Sequence, residues 1–489
     1  MAKQRVRNAD AAWLHMDRPT NLMIVNSVML FDEPISLEQL AEVFQARLIA
    51  RYPRFSQRVQ DSFLPLQGPS WVDDAHFDLN RHLHHIGLPA PGGTEALQQV
   101  VGDLMATPLD RSKPLWDVYL IDGYGSGCAL FTRMHHCIAD GIALARVMLT
   151  LTDAGADGTE TSPGFDDNPS SAGPLADALS LGSGLIHEGM ESVLHPRRTV
   201  ASLAREAQTL TKLVFAPSDQ ETAVRGELSG LRRVAWSEPL ELDEIKAIAH
   251  TQGATVNDVL LAAVSGALRR YMLDRDSPVV EIHAIVPFNL RPLDKPIPRS
   301  LGNRFGLVFL ALPIDIASPR ERLSELKRRM DEIKDSPEGP LVYAILGAIG
   351  LTPVPVEKQL VDLFSAKGTA VMTNIPGPRE PVYLAGVPVR TVLVWAPTSG
   401  SVGMSVSIFS YRGEVTIGLM VDAALVPEPR QIVDALSPEL EELRALGRSP
   451  VGAAALVGAA APVGAAAPVG AAAPVGAAAL RRTTADQRW

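Results

Sequence analysis

Cysteine is nearly absent: Cys128 and Cys137 are the only two among 489 residues, with no Cys-x-x-Cys spacing, which excludes a disulfide framework and argues against a zinc centre. No serine sits in a Gly-x-Ser-x-Gly elbow, and there is neither His-Glu-x-x-His nor Gly-x-x-x-x-Gly-Lys. Covalent serine, metalloprotease and P-loop chemistry therefore lose support. Positive charge is short as well: 45 Lys and Arg against 55 Asp and Glu give a net charge of −10, so no global field draws the chain to nucleic acid. Met1 to Asp10 has no apolar run and does not read as a secretory signal. With so little cysteine, that suits a cytoplasmic location. The rest is globular in composition, 46% apolar and 20% charged, and too long for one core, so two domains are expected.

What the chain does have is His135, His136, Cys137, Ile138, Ala139, Asp140 and Gly141, placed where an apolar strand meets a helix. His-His-x-x-x-Asp-Gly arises by accident in a chain of this composition with odds on the order of one in a thousand, so it is read as a motif. On a strand, successive side chains point to opposite faces, so only one histidine can be offered to a substrate. A neutral imidazole suits proton abstraction from a hydroxyl, and His136 is the expected general base. His135 is then mainly structural, Asp140 holds the turn or orients a ring, and Gly141 permits a backbone angle other residues avoid. His82, His84 and His85 cluster without partnering Cys or Asp, so packing or surface roles are expected and no metal is assigned.

Periodicity gives an α/β chain. Residues 21–30 read as a buried strand, followed by a helix capped by Ser36. Trp116–Ile121 and Cys128–His136 read as a hairpin around a glycine-rich turn at 122–127 that only superficially resembles a phosphate loop. Gly, Asp, Ser and Pro between Asp153 and Pro174 mark a boundary. A helix is expected over 199–215, with Leu203, Leu210, Leu213 and Val214 on one face. A second α/β set begins near Arg232, with a helix over 256–273, strands at 282–287 and 307–313, a charged helix at 320–334, and late strands at 369–373 and 403–410. The division is residues 1–160, a linker at 161–228, residues 229–447 and a tail at 448–489. In the tail, Val-Gly-Ala-Ala-Ala recurs five times from Val451 and is punctuated by Pro462, Pro468 and Pro474; it reads as disordered or extended rather than membrane-spanning.

Four ordered motifs carry a resemblance over about Ala9 to Leu446. They are Pro114-Leu115-Trp116, the His135–Gly141 segment, Val256-Asn257-Asp258-Val259 and Asn374-Ile375-Pro376-Gly377-Pro378, echoed by Asp10-Ala11-Ala12-Trp13-Leu14 and Leu301-Gly302-Asn303. In these the chain resembles the bacterial wax ester synthase/diacylglycerol acyltransferase family. The resemblance implies two chloramphenicol acetyltransferase-like α/β sandwich domains with an active-site tunnel at their interface. It implies an O-acyltransferase that moves a fatty acyl group from acyl-CoA, a co-substrate with no other cofactor, to diacylglycerol or a long-chain alcohol. No acyl-enzyme is needed, and the site is peripheral to a membrane or lipid droplet. Carried over, His136 is the base, and His135, Asp140 and Gly141 support it. Asn257, Asp258 and Asn374 lie near the tunnel, with Pro114, Leu115 and Trp116 beside them or in packing roles. Where the family is expected to show Asn-Ile-Thr-Val, this chain has Ser405-Val406-Ser407-Ile408, which leaves chain-length preference open. Two membrane contacts suggest themselves: the apolar Pro340–Val356 segment, more simply a core helix, and the basic Arg197, Arg198, Arg205 and Lys212. A non-catalytic lipid-binding relative, or an enzyme acting on a soluble alcohol or amine, are the alternatives.

Overall fold

A computed structural model describes residues 4–62, 68–156, 217–289, 298–334 and 354–448. The expected helix at 199–215, the four basic residues from Arg197 to Lys212, most of the Pro340–Val356 segment and the tail from 449 lie outside the described residues.

The first half opens with β1 (Gln4–Arg5), α1 (Asn8–Met16), β2 (Ile24–Phe31) and α2 (Leu37–Val43), followed by β3 (Gln57–Gln60), β4 (Ser70–Asp73), β5 (Leu83–Gly87) and α3 (Thr94–Met105). The hairpin β6 (Trp116–Tyr124) and β7 (Gly127–His135) then leads into α4 (Gly141–Leu149). The second half runs β8 (Arg232–Trp236), β9 (Leu240–Glu241), α5 (Leu242–Gln252), α6 (Val256–Leu273), β10 (Ile282–Asn289), β11 (Phe305–Leu312), α7 (Pro319–Lys334) and α8 (Val354–Ser365). It closes with β12 (Ala370–Pro376), β13 (Tyr383–Leu384), β14 (Val387–Trp395), β15 (Met404–Tyr411), β16 (Glu414–Asp422), α9 (Arg430–Asp434) and α10 (Leu436–Arg448).

These form two large mixed sheets, ordered β13-β14-β2-β7-β6-β5 and β11-β10-β12-β15-β16-β8, with β9 on β16; β1, β4 and β3 make a small third sheet. Every residue of β2 and β7 is buried, the polar Asn26, Ser27, Thr132, Arg133 and His135 included, as central strands covered on both faces are. The 18-residue helix α6 matches its expected span; it starts at a capping box in which Thr255 and Asp258 satisfy each other's backbone N–H, and it is buried along most of its length. Ser36 sits at the start of α2, but its hydroxyl makes no capping bond.

The sheets do not follow a single cut in the chain. Strand β14, from the second half, adds antiparallel to β2 of the first, with Val392 opposite Met29 and Val394 opposite Ser27. A division at residue 229 leaves this strand on the far side. Strand pairing satisfies the backbone of both edges, and a shared core of Val28, Leu30, Trp236, Trp395 and Met420 welds the halves together.

Candidate active site

Strand β7 ends at His135, and the chain stays beside β2 for one more bond, His136 N–H to the Met23 carbonyl at 2.8 Å. The next residues turn sharply: the Cys137 N–H donates to His135 Nδ1 at 3.1 Å and the Ile138 N–H to the His135 carbonyl at 3.0 Å. Asp140 then starts α4 by accepting from the Ala143 N–H at 2.8 Å, and its other oxygen accepts from the Arg304 N–H at 3.0 Å. It thus fixes the turn and ties it to the second half. Gly141 is the helix's first residue and is not in the left-handed region, so the expected special backbone angle is absent. A methyl group there would meet no atom within 4 Å. Because Gly141 lines the cavity, its lack of a side chain leaves that space open.

The two histidines part as the alternation requires. Since His135 Nδ1 accepts from backbone, its Nε2–H donates to Asp17 Oδ2 at 3.0 Å. Burial would raise the Asp17 carboxyl, but the bonds from His135 and the Met23 N–H outweigh it and hold the group below its ordinary range. The His136 ring instead packs under the Trp13 indole, centroids 4.2 Å apart, with Phe305 at 5.4 Å. It is 5% exposed, and its Nδ1 has no hydrogen-bond partner among the described residues. Burial, and then the neighbouring His135, push its pKa down to about 3. The imidazole is neutral at physiological pH and free to accept a proton.

His136 opens on a cavity of about 130 Å³ between the two halves, mostly apolar. Trp13, Gly141 and Ile142 wall one side, and Phe288, Phe364 and Asn374 the other. Asn374 donates through its amide to Asn257 Oδ1 at 2.9 Å, so two distant sequence motifs meet at the cavity wall. Asp258 lies behind them in its capping box and does not line the cavity. Pro114, Leu115 and Trp116 do not line it either: the Leu115 carbonyl accepts from the His135 N–H, while the Trp116 indole bonds to the Phe55 carbonyl and stacks on His82 at 4.3 Å. They pack the strand that presents the histidines. Ser405 is fully buried in β15, its hydroxyl without a partner among the described residues, and does not line this cavity. His84 and His85 pair with Asp117 and Asp122, and burial pushes the Cys137 thiol far above its ordinary range, too high for a nucleophile.

Sequence reasoning left three residues of this site without a role. Asn303 donates its side-chain amide both to the His136 carbonyl at 2.8 Å and to Asp10 Oδ1 at 2.9 Å. Asp10 is held in turn by Arg7 at 2.9 Å, and Arg7 also reaches the Leu301 carbonyl. Trp13 supplies the ring against the base. The signal for all three was present, in the Asp10–Leu14 and Leu301–Asn303 segments, but nothing local tells what they touch.

A family pattern described as the wax ester synthase/diacylglycerol acyltransferase catalytic domain matches residues 6–260, and its C-terminal domain matches residues 301–444. A Mycobacterium tuberculosis protein named as a probable diacylglycerol O-acyltransferase is 28% identical over 405 residues, 81% of this chain and 85% of the relative. A second protein of that species, named as a putative diacylglycerol O-acyltransferase, is 28% identical over 461 residues, 90% of each chain. Among solved structures, the wax ester synthase/diacylglycerol acyltransferase of Marinobacter aquaeolei VT8 aligns with a TM-score of 0.66 at 23% identity over 91% of this chain and all of that one. The first condensation domain of the calcium-dependent antibiotic synthetase aligns at 0.57 and 14% identity over 92% of this chain and 97% of that one, a likeness of fold alone.

Proposed function

The chain belongs to the wax ester synthase/diacylglycerol acyltransferase family, and from that premise we propose that His136 is the general base of an acyl transfer carried out in the cavity between the halves. The reaction is that of an acyl-CoA-dependent O-acyltransferase acting on lipids. The observation that carries the role of His136 is its position: a neutral ring on the wall of an apolar cavity to which both halves contribute.

In this reading, acceptor hydroxyl and acyl-CoA thioester occupy the cavity together. The imidazole takes the hydroxyl proton as the oxygen attacks the thioester carbonyl, the C–O bond forms, and the C–S bond breaks. The proton passes from the imidazolium to the departing CoA thiolate, giving ester and free thiol. Among the described residues no carboxylate is bonded to the His136 ring, so an imidazolium would be poorly stabilised there; capture of the proton by the thiolate in the same event avoids its accumulation. His135 and Asp17 act at a distance by locking the strand end.

The acceptor is the hydroxyl of diacylglycerol or of a long-chain alcohol, and the names of the mycobacterial relatives favour the former. Such substrates reside in lipid, and we place the protein at a membrane or lipid-droplet surface. Among the described residues no helix is long and apolar enough to cross a membrane. Val356, the last residue of the apolar 340–356 segment, is 43% exposed on α8 rather than in the core.

The test is thiol release from palmitoyl-CoA with diacylglycerol, hexadecanol or a polar alcohol as acceptor. Proton transfer of this kind contributes roughly a hundred- to ten-thousandfold, and His136→Ala should lose a factor in that range while melting normally. A folded variant at near wild-type rate would overturn the role of His136. Turnover with polar acceptors alone would overturn the lipid acceptor.

A further inference from the structure

Among the described residues four large apolar side chains stand exposed to solvent, Leu231, Leu273, Val356 and Leu363, and the last two belong to α8. Val356 is 43% and Leu363 42% exposed. With the half-buried Leu360 they fall at i, i+4 and i+7, one stripe over two turns of helix. The next stripe round, Glu357, Val361 and Ser365, is buried, and Val361, Phe364 and Ser365 wall the His136 cavity. The exposed polar residues Lys358, Gln359 and Asp362 are confined to the remaining side. Helix α8 is thus a partition one helix thick, apolar toward the cavity and apolar again along part of its outer surface.

We propose that the stripe of Val356, Leu360 and Leu363 is the face by which the protein docks on a lipid surface, with α8 lying in the interface and the His136 cavity directly behind it. The inference rests on the acyltransferase reading, which makes the occupants of the cavity lipids, and adds to it the docking face and the orientation. Size argues against a protein partner. Three side chains offer far less than the ~800 Å² per partner that a stable interface between proteins buries, whereas an interfacial helix needs only to sink its apolar side ~5–10 Å into the boundary of headgroups and acyl chains. A helix is ~10 Å across, so a lipid leaving that boundary reaches the cavity around a single helix, without crossing bulk water.

Charge decides which lipid. Asp362 is paired with Arg18 at 2.6 Å, and Glu357 is buried against His15 Nδ1 at 2.9 Å, so the outer side of α8 carries little net charge. The chain as a whole stands at −10, and an anionic bilayer offers it no attraction. The surface it fits is neutral or zwitterionic, as phosphatidylcholine holding diacylglycerol is. The same two contacts fasten α8 to α1, whose Trp13 and Met16 form the neighbouring cavity wall, and they fix the rotation of the helix so that the stripe faces out.

Flotation of the full chain with vesicles of phosphatidylcholine and dioleoylglycerol tests this. The wild type should float, and Val356→Ser/Leu363→Ser, which changes no residue lining the cavity, should lower its partition coefficient at least tenfold. Because Cys128 and Cys137 are buried, an environment-sensitive dye on Val356→Cys reports the contact directly. Its emission should shift to the blue on vesicles, while the same dye on Leu273→Cys, exposed at the far end of α6, should not. A wild type that stays in the soluble fraction, equal partitioning of wild type and double variant, or equal dye shifts at the two positions would each overturn the docking face. Binding that requires phosphatidylglycerol would overturn the neutral surface. Self-association of the wild type without lipid, seen by light scattering and lost in the double variant, would assign the stripe to a second copy instead. Thiol release separates docking from chemistry: with palmitoyl-CoA and vesicle-borne dioleoylglycerol, the double variant should need at least tenfold more lipid for half-maximal rate, with kcat at saturating lipid unchanged. A wild type that floats through this stripe yet releases no thiol with any acceptor would sink the acyltransferase reading and keep the docking face.

Discussion

Asn303 hydrogen-bonds the backbone carbonyl of His136 at 2.8 Å while holding Asp10 Oδ1 at 2.9 Å. One side chain from the second half thus pins the His136 backbone to helix α1, and it does so from just after Gly302, whose φ of +96° brings the chain close to Arg7. Asn303 does not line the cavity; in the proposed reaction it positions the base rather than touching substrate.

Asn303→Ala leaves the His136 carbonyl without this donor and removes one of the bonds to Asp10, a loss of about 1–3 kcal/mol for buried groups left unsatisfied. The expected outcome is a lower Tm and a ten- to hundredfold fall in kcat with KM nearly unchanged. Asn303→Asp, which removes the donor and adds a carboxylate beside Asp10, should be worse on both counts. Steady-state kinetics and thermal melts at one pH check this; a fall in KM-dependent binding alone would contradict a positioning role.

The strands and helices that build this site were legible because each is a local pattern. The buried run at 21–30, the hairpin at 116–136 and the helix at 256–273 all lie within a few residues of their observed bounds, since period and caps are set by neighbours in sequence. His136 was legible for the same reason: the motif encodes strand, turn and helix start within seven residues. What was not legible depends on partners far away in the chain. The placement of β14 beside β2 is decided by sheet edges that no local pattern records, and the bond between Asn303 and His136 spans 167 positions. Gly141 was read as a backbone device because glycine's conformational freedom is visible in sequence, whereas the cavity it keeps open is not.

The Trp13 indole covers the His136 ring at 4.2 Å and is part of what keeps water from it. Trp13→Ala admits water, relieves the desolvation that pushes His136 down to about 3, and moves its pKa up toward the ordinary 6.5. Because the base must be neutral to act, the acid limb of kcat/KM should rise with it. The wild type should hold its rate down to at least pH 5 as far as His136 is concerned, whereas the variant should lose rate as pH falls through about 6. Parallel pH–rate profiles check this; an acid limb common to both would show that the indole does not set the protonation of the base.

Asn257 and Asp258 are neighbours with separable work. Asp258 caps α6 with Thr255, while Asn257 holds the Asn374 amide at the cavity wall at 2.9 Å. Asp258→Ala should cost about 1 kcal/mol of stability through the lost capping box and lower activity only by the fraction unfolded. Asn257→Ala leaves the cap intact and frees Asn374 in the substrate wall, so kcat/KM should fall five- to thirtyfold at a nearly unchanged melting temperature. Measuring melting and kinetics on both variants separates the two; equal losses of stability would show that the helix start is one unit.

The depressed pKa of His136 also carries a signature in folding. Above pH 6.5 the ring is neutral in both folded and unfolded chains and contributes no pH dependence. Between 6.5 and about 3 the unfolded chain takes up a proton that the folded one refuses, so the unfolded state binds more protons and stability falls as pH falls. One proton corresponds to a slope of about 1.4 kcal/mol per pH unit across that window. His136→Asn does not titrate there, so the wild-type stability minus that of the variant should be flat from pH 8 to 7 and decline steadily from 6 to 4. Urea unfolding at each pH measures the difference directly, and subtraction removes the other titrating groups shared by both proteins. A difference that stays level, or grows, as the solution is acidified would mean that the folded protein protonates this imidazole readily, and with that the account of a dry, neutral base in the cavity would fail.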